Sequence, residues 1–241
     1  MVAFSGAHVV VTGGTGALGA AVVEALRQAG AVCHVTNLVA AELERYPHRG
    51  DAGVHVASGI DLADEAAVAR FYAGLPPLWA SVHLAGGFAM APVAETAAAD
   101  FEAQFRVNAL SSFLCTRAAI AAIRARRAPG PGGAAGGRVV NIAARPGIEP
   151  RLGAGMAAYA ASKGAVAAFT QALAEEVAAE EIWVNAVAPS IIDTAANRAA
   201  MPDAPHHHWV APAALAALIA FLASPENRAT RGAVIPVYAA A

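Results

Sequence analysis

Tyr159 and Lys163 stand four residues apart in an alanine-rich stretch of the chain. In a helix, two residues at this spacing share one face. Lys163 is the only lysine among the 16 lysine and arginine residues, and arginine does not replace a compact ammonium beside another group. Because an ammonium favours the ionised form of a neighbouring phenol, we expect the pKa of Tyr159 to fall from about 10 toward neutrality. The pair could then donate a proton in a reductase or dehydrogenase reaction; the alternative is a tyrosine and a lysine on the surface of a helix.

A glycine-rich segment follows the short β-branched run at residues 8–11 and precedes a helix predicted over residues 20–29 and a strand predicted over residues 31–36. A unit of this kind, about 30 residues long, is typical of dinucleotide-binding sites. Its glycines permit close approach of the backbone to a pyrophosphate, and the helix N-terminus offers free N–H groups. The alternative is simply a tight turn between a strand and a helix. The candidate cofactor-binding residues here are Gly13, Thr15, Gly16, Ala17, Leu18 and Gly19.

The residue that ends the second strand usually distinguishes the two nicotinamide dinucleotides. An acid there binds the ribose hydroxyls and repels a 2′-phosphate, whereas a nearby arginine accommodates that phosphate. This chain has Asn37 at the position, followed by Leu38, and Thr15 in the glycine loop is not basic. The sequence therefore leaves NAD and NADP open, with a slight preference for NAD because no phosphate-binding residue is evident.

Strands and helices alternate along the rest of the chain. Further strands are predicted at residues 54–57, 81–84, 138–143, 183–187 and 233–238, and further helices at residues 63–73, 101–127, 157–180 and 212–222. The Gly- and Pro-rich residues 129–137 are predicted to be a loop within the same domain. This alternation predicts one α/β domain over residues 1–241, with a doubly wound parallel sheet of about seven strands and helices on both faces.

Several small or polar residues lie at the predicted strand ends, where open α/β sheets bind ligands. Ala85, Gly86 and Gly87 leave room for a flat ring on the backbone. Asp61, followed by Leu62, could hold an adenine amino group or could cap the next helix. Asn108 lies inside an apolar helical pattern, where a buried amide needs partners; a satisfied structural asparagine is the alternative to a functional one.

Composition excludes several classes of protein. Hydrophobic residues make up 57% of the chain, charged residues 14%, and the net charge is −2, so we expect neither a nucleic-acid partner nor a membrane partner. The N-terminal residues show no signal-peptide pattern, and Cys33 and Cys115 are predicted to be buried free thiols, which fits a cytoplasmic location. His206, His207 and His208 are adjacent and lack further ligands nearby, so no metal site is predicted.

The glycine loop, Ala85-Gly86-Gly87, Asn108, the Tyr159–Lys163 pair and residues 189–194 occur in an order that resembles the short-chain dehydrogenase/reductase superfamily over nearly the whole chain. The resemblance implies a Rossmann fold and a nicotinamide cofactor. It implies that Tyr159 is the acid/base, that Lys163 binds the nicotinamide ribose and lowers the tyrosine pKa, and that Asn108 holds a water in a proton relay. Pro189, Ile192 and Thr194 would line the nicotinamide site, with Ile192 and Thr194 positioning the carboxamide. Ala144, Arg145, Met201 and Trp209 are the candidate substrate contacts, and residues 195–211 form a predicted lid over a small-molecule substrate.

Three positions depart from the family pattern. Ala17 stands where a glycine is common, and Leu84 to Gly87 lack the usual asparagines. The family serine is missing, since no serine or threonine occurs in residues 141–158, and losing one such hydrogen-bond donor commonly costs about 3 kcal/mol of transition-state stabilisation. These features resemble the dihydropteridine reductase branch, in which tyrosine and lysine act without a serine on a quinonoid pterin that is already electron-poor.

Our main hypothesis is an NAD(P)(H)-dependent oxidoreductase that transfers hydride to or from a small carbonyl, alcohol, imine or quinonoid substrate. The first alternative is a quinonoid dihydropteridine reductase-like enzyme. The second is a nucleotide-binding family member with weak catalysis, which the missing serine suggests and the retained Tyr159, Lys163 and Asn108 argue against. The resemblance also implies a homodimer or homotetramer formed through the two long helices at residues 101–127 and 157–180.

Overall fold

The computed structural model describes residues 4–126 and 136–240. These residues form one seven-stranded sheet with the order β3-β2-β1-β4-β5-β6-β7, and every neighbouring pair is parallel. The strands are β1 His8–Thr12, β2 Val32–Asn37, β3 Val54–Ser58, β4 Leu78–His83, β5 Gly137–Ile142, β6 Ile182–Pro189 and β7 Val234–Val237. The predicted doubly wound Rossmann sheet is confirmed. The predicted loop at residues 129–137 lies mostly outside the described residues.

Helices cover both faces of the sheet. They are α1 Ala17–Gln28, α2 Ala40–Glu44, α3 Glu65–Ala73, α4 Ala98–Gln104, α5 Ser111–Arg126, α6 Arg145–Ile148, α7 Ala157–Glu176, α8 Ala195–Ala200 and α9 Pro212–Ala223. Helices α1 and α9 pack on one face, and α3, α5 and α7 pack on the other. Side chains of β1 alternate between the two faces: Val9 and Val11 belong to the core under α1 and α9, and Val10 belongs to the core under α3 and α5.

The single helix predicted over residues 101–127 is wrong in one respect. Between α4 and α5 lies a π-helical segment, Phe105–Leu110, that contains Asn108. Such wide turns are rare and frequently mark functional sites. Apolar spacing cannot reveal this segment, because it reports which residues are buried rather than which carbonyl each N–H reaches.

A buried polar network joins β4 and β5 to α5 and α7. His83 Nδ1 lies 2.8 Å from Asn141 Oδ1, and Asn141 Nδ2 donates to Thr170 Oγ1 at 2.9 Å. The Ser112 and Thr116 hydroxyls of α5 also donate to Asn141 Oδ1, each at 3.2 Å. Burial lowers the pKa of His83 to about 4, so this imidazole is neutral at neutral pH. The network attaches α5 and α7 to the central strands β4 and β5.

Two expectations about cysteine and membrane segments have clear outcomes. Cys33 and Cys115 are free and buried, as predicted. Within the described part of the chain, no helix has both the length and the apolar character that a bilayer crossing needs.

Candidate active site

A cavity of about 610 Å³ opens at the carboxyl ends of the central strands. This is where open α/β sheets bind ligands. Twelve of the predicted cofactor-binding residues line it: Gly13, Thr15, Gly16, Ala17, Leu18, Gly19, Asn37, Asp61, Leu62, Ala85, Gly86 and Thr194. Gly87, Pro189, Ile192, Tyr159 and Lys163 are not among its lining residues. Tyr159 and Lys163 adjoin the cavity through neighbours described below.

The glycine loop between β1 and α1 is held in a conformation that requires glycine. Gly13 has φ +63°, and a Cβ on it would lie 2.9 Å from the backbone of Ala85. A Cβ on Gly19 would overlap the carbonyl oxygen of Gly13 and lie 2.5 Å from Gly14 Cα. Ala17 begins α1 and its side chain is exposed. The methyl group at that departure from the family pattern is therefore accommodated without distortion.

The end of β2 holds a hydrogen-bonded trio beside this loop. Asn37 Nδ2 donates to Thr15 Oγ1 at 2.8 Å, and Thr15 Oγ1 donates to Glu42 Oε2 at 2.8 Å. Glu42 lies on α2 and lines the cavity. An acid therefore does lie close to the end of β2, but α2 supplies it, and the last residue of the strand is the neutral Asn37.

Asp61 and Leu62 follow β3 and form another part of the cavity wall. Asp61 is exposed, and its Oδ1 accepts from Ala63 N at 2.8 Å. The cap of α3 is Asp64, which accepts from the backbone N–H groups of Ala66 and Ala67. Asp64 rather than Asp61 therefore caps α3. The contact of Asp61 with an adenine amino group stays a prediction.

Asn108 is the centre of a hydrogen-bonded chain that leads from β4 to α7. It is 1% exposed. Its Oδ1 accepts from Gly87 N at 3.0 Å, and its Nδ2 donates to Gly87 O at 2.9 Å and to Ser162 Oγ at 3.1 Å. Ser162 Oγ then donates to the carbonyl of Tyr159 at 2.8 Å. These bonds match the reading of a satisfied structural asparagine, and a water held by Asn108 stays a prediction.

Lys163 follows Ser162 directly on α7 and lies one helical turn beyond Tyr159. Its side chain is 5% exposed, and its Nζ donates to the carbonyl of Ile142 at 3.0 Å. A Cβ on Gly86 would lie 2.7 Å from Asn108 Oδ1 and 3.2 Å from Lys163 Nζ. Gly86 therefore connects the cavity to both side chains, and only a residue without a side chain fits there. We call Asn108, Tyr159, Ser162, Lys163 and Gly86 the Tyr159 cluster.

The predicted fall in the tyrosine pKa is wrong for the protein as this structure has it. Burial raises the pKa of Tyr159 to about 12. Burial also lowers the pKa of Lys163 to about 8. Removing either group from water disfavours its charged form, and spacing along a helix does not reveal how far each side chain is buried.

The region beside Tyr159 is apolar. Ala143 and Ala144 are buried just beyond β5, so no hydroxyl stands at the position of the missing serine. The rings of Phe88 and Tyr159 meet edge to face with centroids 4.9 Å apart, and Phe88 is 61% exposed. Met90, equally exposed, lies beside Gly155, because a Cβ on that glycine would be 3.1 Å from Met90 Cε. Exposed apolar side chains around a cleft are typical of ligand-binding surfaces.

The other proposed substrate residues have partners of their own. Arg145 donates to Glu149 at 3.1 Å, and its guanidinium lies 4.3 Å from the centroid of the Tyr238 ring. Trp209 is 6% exposed and packs on His206, and the carbonyl of Met201 lies 2.8 Å from His206 Nε2.

The predicted lid is folded. Thr194 Oγ1 caps α8 by accepting from Asn197 N at 3.2 Å. Near the other end of the predicted lid, Val210 pairs with Ile192, which follows β6, through an isolated β-bridge. Closure of residues 195–211 over a substrate stays a prediction.

Sequence reasoning missed four residues at this site: Glu42, Phe88, Met90 and Ser162. The aromatic after Ala85-Gly86-Gly87 was a visible signal for Phe88. No sequence signal identified Glu42, because its contact with Thr15 depends on the direction in which α2 leaves β2. Within residues 4–126 and 136–240, no group of three or more His, Cys, Asp or Glu side chains could hold a metal ion.

Comparison with known proteins agrees with this geometry. Residues 7–205 match the family model described as short chain dehydrogenase. Galactitol 2-dehydrogenase of Rhizobium johnstonii is 33% identical over 96% of this chain and 93% of that protein. Acetoacetyl-CoA reductase of Allochromatium vinosum is 30% identical over 95% of each chain. A solved structure of a short chain dehydrogenase/reductase family protein superposes with a TM-score of 0.83 at 27% identity, covering 97% of this chain and 96% of that one. The chain therefore belongs to the short-chain dehydrogenase/reductase family and is an NAD(P)-dependent oxidoreductase.

Proposed function

We propose that the protein interconverts a small apolar alcohol and its carbonyl compound, or reduces a comparable imine or quinonoid compound, with Tyr159 as the acid/base. The observation that carries the proposal is the position of Gly86, which lines the cavity and where an added Cβ would lie 2.7 Å from Asn108 Oδ1 and 3.2 Å from Lys163 Nζ. A ligand in the cavity thus has the Tyr159 cluster as its neighbour.

A nicotinamide dinucleotide fits the residues of the cavity. A Cβ on Gly13 or Gly19 would collide with neighbouring backbone, so both positions require glycine, and α1 begins between them at Ala17. Backbone N–H groups and the helix dipole at such an end favour a pyrophosphate. When bound, the nucleotide supplies or accepts the hydride.

Tyr159 would hold the proton that the reaction needs. Its phenol is protonated at neutral pH, but a pKa raised to about 12 makes it a weak acid. Donation to a substrate oxygen or nitrogen therefore requires that pKa to fall toward neutrality in the reacting complex, a change that an ammonium such as that of Lys163 favours. The Lys163 ammonium stands beside Gly86 and is fixed by the Ile142 carbonyl. Asn108 and Ser162 hold the backbone of Gly87 and of Tyr159 at a fixed separation.

The apolar side chains Phe88 and Met90 favour an uncharged, largely apolar substrate. Ala143 and Ala144 offer no hydroxyl to polarise the substrate oxygen, which favours compounds that are already easy to reduce. This observation supports a second candidate, a quinonoid dihydropterin. Arg145, Met201 and Trp209 stay candidate substrate residues, reached if residues 195–211 close and exclude water.

We also propose that the protein is a homodimer or homotetramer assembled through α5 and α7. Phe113 of α5 is 47% exposed, and its ring meets that of Phe169 on α7 with centroids 6.4 Å apart. Exposed aromatic residues on neighbouring helices are typical of contact surfaces. Light scattering checks this: a monomeric mass at working concentration contradicts the proposal.

Replacement of Tyr159 by phenylalanine tests the assignment of the acid/base. We expect kcat to fall about 10²- to 10⁴-fold, while the Kd for the nucleotide changes little. Tyr46→Phe is a matched control, since the Tyr46 hydroxyl is buried without a hydrogen-bond partner in the structure. If Tyr159→Phe and the wild type oxidise NAD(P)H equally with ketones, imines and quinonoid compounds, and reduce NAD(P)+ equally with alcohols, the assignment is wrong. Reduction of ketones with no activity on quinonoid dihydropterin rejects the second candidate alone.

A further inference from the structure

We infer that Glu42 makes the adenosine end of the cavity selective for NAD(H) over NADP(H). The inference rests on the proposed nucleotide site and adds the residue that decides which dinucleotide enters. It assigns this role to a side chain on α2, five positions beyond Asn37 at the end of β2.

The contacts of Glu42 fix its carboxylate over the glycine loop. Oε2 accepts from the Thr15 hydroxyl at 2.8 Å, and Oε1 would lie 3.9 Å from a Cβ on Gly16. Asn37 supports this position, because its Nδ2 donates both to Thr15 Oγ1 at 2.8 Å and to the carbonyl of Val39 at 3.0 Å. The neutral Asn37 therefore orients Thr15, and Thr15 orients the acid.

The charged residues around this part of the cavity also favour NAD(H) over NADP(H). Of the described residues that line the cavity, Glu42 and Asp61 are acidic and Arg106 is the only lysine or arginine. Arg106 Nη2 donates to the carbonyl of Ala63 at 3.4 Å, beyond β3 rather than at the end of β2. Arg45 lies near Glu42 in sequence, but its Nε donates to the carbonyl of Ala41 at 3.2 Å, and it is not a lining residue.

The end of β2 is where a Rossmann fold holds the adenosine ribose. A carboxylate there can accept hydrogen bonds from free ribose hydroxyls, and bonds to a charged acceptor are strong. The same carboxylate repels a 2′-phosphate, and no lining cation at the end of β2 offsets the repulsion. Although Asn37 is neutral, the site therefore still discriminates against the 2′-phosphate of NADP(H).

Equilibrium titrations of NADH and NADPH, without any substrate, test the inference. We expect the wild type to bind NADH at least about tenfold more tightly than NADPH, and Glu42→Gln to tighten NADPH about tenfold while weakening NADH at most about fivefold. Glu44→Gln is the matched control, because Glu44 is exposed on the same helix and does not line the cavity. The ratio of its Kd for NADPH to its Kd for NADH should equal that of the wild type. Raising salt from about 50 mM to about 500 mM should reduce the wild-type preference by screening the repulsion.

Competition with smaller probes locates the effect. Adenosine 5′-phosphate should displace NADH from the wild type more effectively than adenosine 2′,5′-bisphosphate, and the difference should disappear in Glu42→Gln. Equal or tighter binding of NADPH by the wild type overturns the inference and leaves the proposed function standing, as does an unchanged ratio in a folded Glu42→Gln protein. Failure of both dinucleotides to bind rejects the proposed function and the inference together.

Discussion

The glycine-loop region and the Tyr159 cluster are formed in different ways. The glycine-loop region, meaning Gly13 to Gly19 with Thr36, Asn37 and Glu42, owes its shape to close packing that leaves no room for a Cβ at three of its glycines. Three hydrogen bonds connect it, a buried one between Asn37 and Thr15 and partly buried ones from Gly13 N to Thr36 and from Thr15 to Glu42. The Tyr159 cluster instead depends on three buried polar side chains: Asn108 and Lys163 bond to other elements of the fold, and Ser162 donates to the carbonyl of Tyr159.

This difference predicts different responses to substitution. Changes in the glycine-loop region should alter nucleotide affinity and leave the chemical step intact. Changes in the Tyr159 cluster should affect turnover or stability and leave nucleotide affinity nearly unchanged. Gly86 and Lys163 are the exceptions, since Gly86 lines the cavity and Lys163 is predicted to bind the nicotinamide ribose.

After Tyr159→Phe, the largest expected effect is that of Gly86→Ala. The new methyl group would lie 2.7 Å from Asn108 Oδ1 and displace Asn108 or Lys163. Because displacements of about 1 Å can cost about 100-fold in rate, we expect kcat to fall by about that factor. Gly74→Ala is the control, since its Cβ would make only ordinary contacts at 3.7 Å. Steady-state kinetics with unchanged activity in Gly86→Ala contradict the assigned position of the cluster.

Asn108→Ala should lower the free energy of unfolding by about 3 kcal/mol, because the Gly87 backbone and the Ser162 hydroxyl lose their partners. Urea denaturation measures this. Asn197 also donates to a backbone carbonyl, that of Ile192 at 2.8 Å, but lies in the partly exposed predicted lid. If Asn108→Ala and Asn197→Ala lower the free energy of unfolding equally, the hydrogen bonds of the Tyr159 cluster contribute no more to stability than those of the predicted lid.

Lys163 gives the cluster a pH signature. Its pKa is about 8 in the folded protein against 10.5 for the free side chain, so the unfolded state binds more protons between these values. Stability from this group therefore rises as pH increases from 8, by about 2 kcal/mol up to pH 10. Lys163→Met removes that rise, and the difference between the two proteins cancels the contributions of other groups. Parallel stability curves for the two proteins would contradict burial of a charged Lys163.

The smallest effect belongs to the glycine-loop region. Thr36 Oγ1 accepts from Gly13 N at 3.3 Å, and Thr36→Val removes this acceptor while keeping the shape. One such bond contributes about 1 kcal/mol, so we expect a roughly fivefold weaker Kd for the dinucleotide with kcat unchanged. A fall in kcat at constant Kd would contradict the separation between the two regions.

Periodicity in the sequence predicts the sheet well, because strands buried on both faces leave continuous apolar runs. Its errors lie at element ends. The fourth strand begins at Leu78 rather than at residue 81, directly after Pro76-Pro77, and α1 begins at Ala17 inside the glycine segment rather than at residue 20. Apolar or glycine content gives no sign of which backbone groups are already paired at these ends.

The site is less predictable than the fold. Tyr159 and Lys163 are visible through spacing and through the rarity of lysine, but their pKa values depend on burial, which spacing does not encode. Glu42 is hidden because the bond to Thr15 spans 27 residues of sequence. Asn108 is visible as a polar residue in an apolar pattern, yet its partners, Gly87 and Ser162, come from two other segments.

The π-helical segment at Phe105–Leu110 also bears on where changes in chain length are tolerated. A π turn holds one residue more than an α turn, so deleting one residue there would let the helix continue in α geometry. Residues before and after the segment would keep nearly the same relative orientation, because the wider turn absorbs the extra residue. Deleting one residue within α5 would instead rotate the residues on either side of the deletion by about 100° relative to each other. We therefore expect a deletion inside α5 to be far less tolerated than one inside the π-helical segment, where the main loss would be the contacts of Asn108 with Gly87 and Ser162.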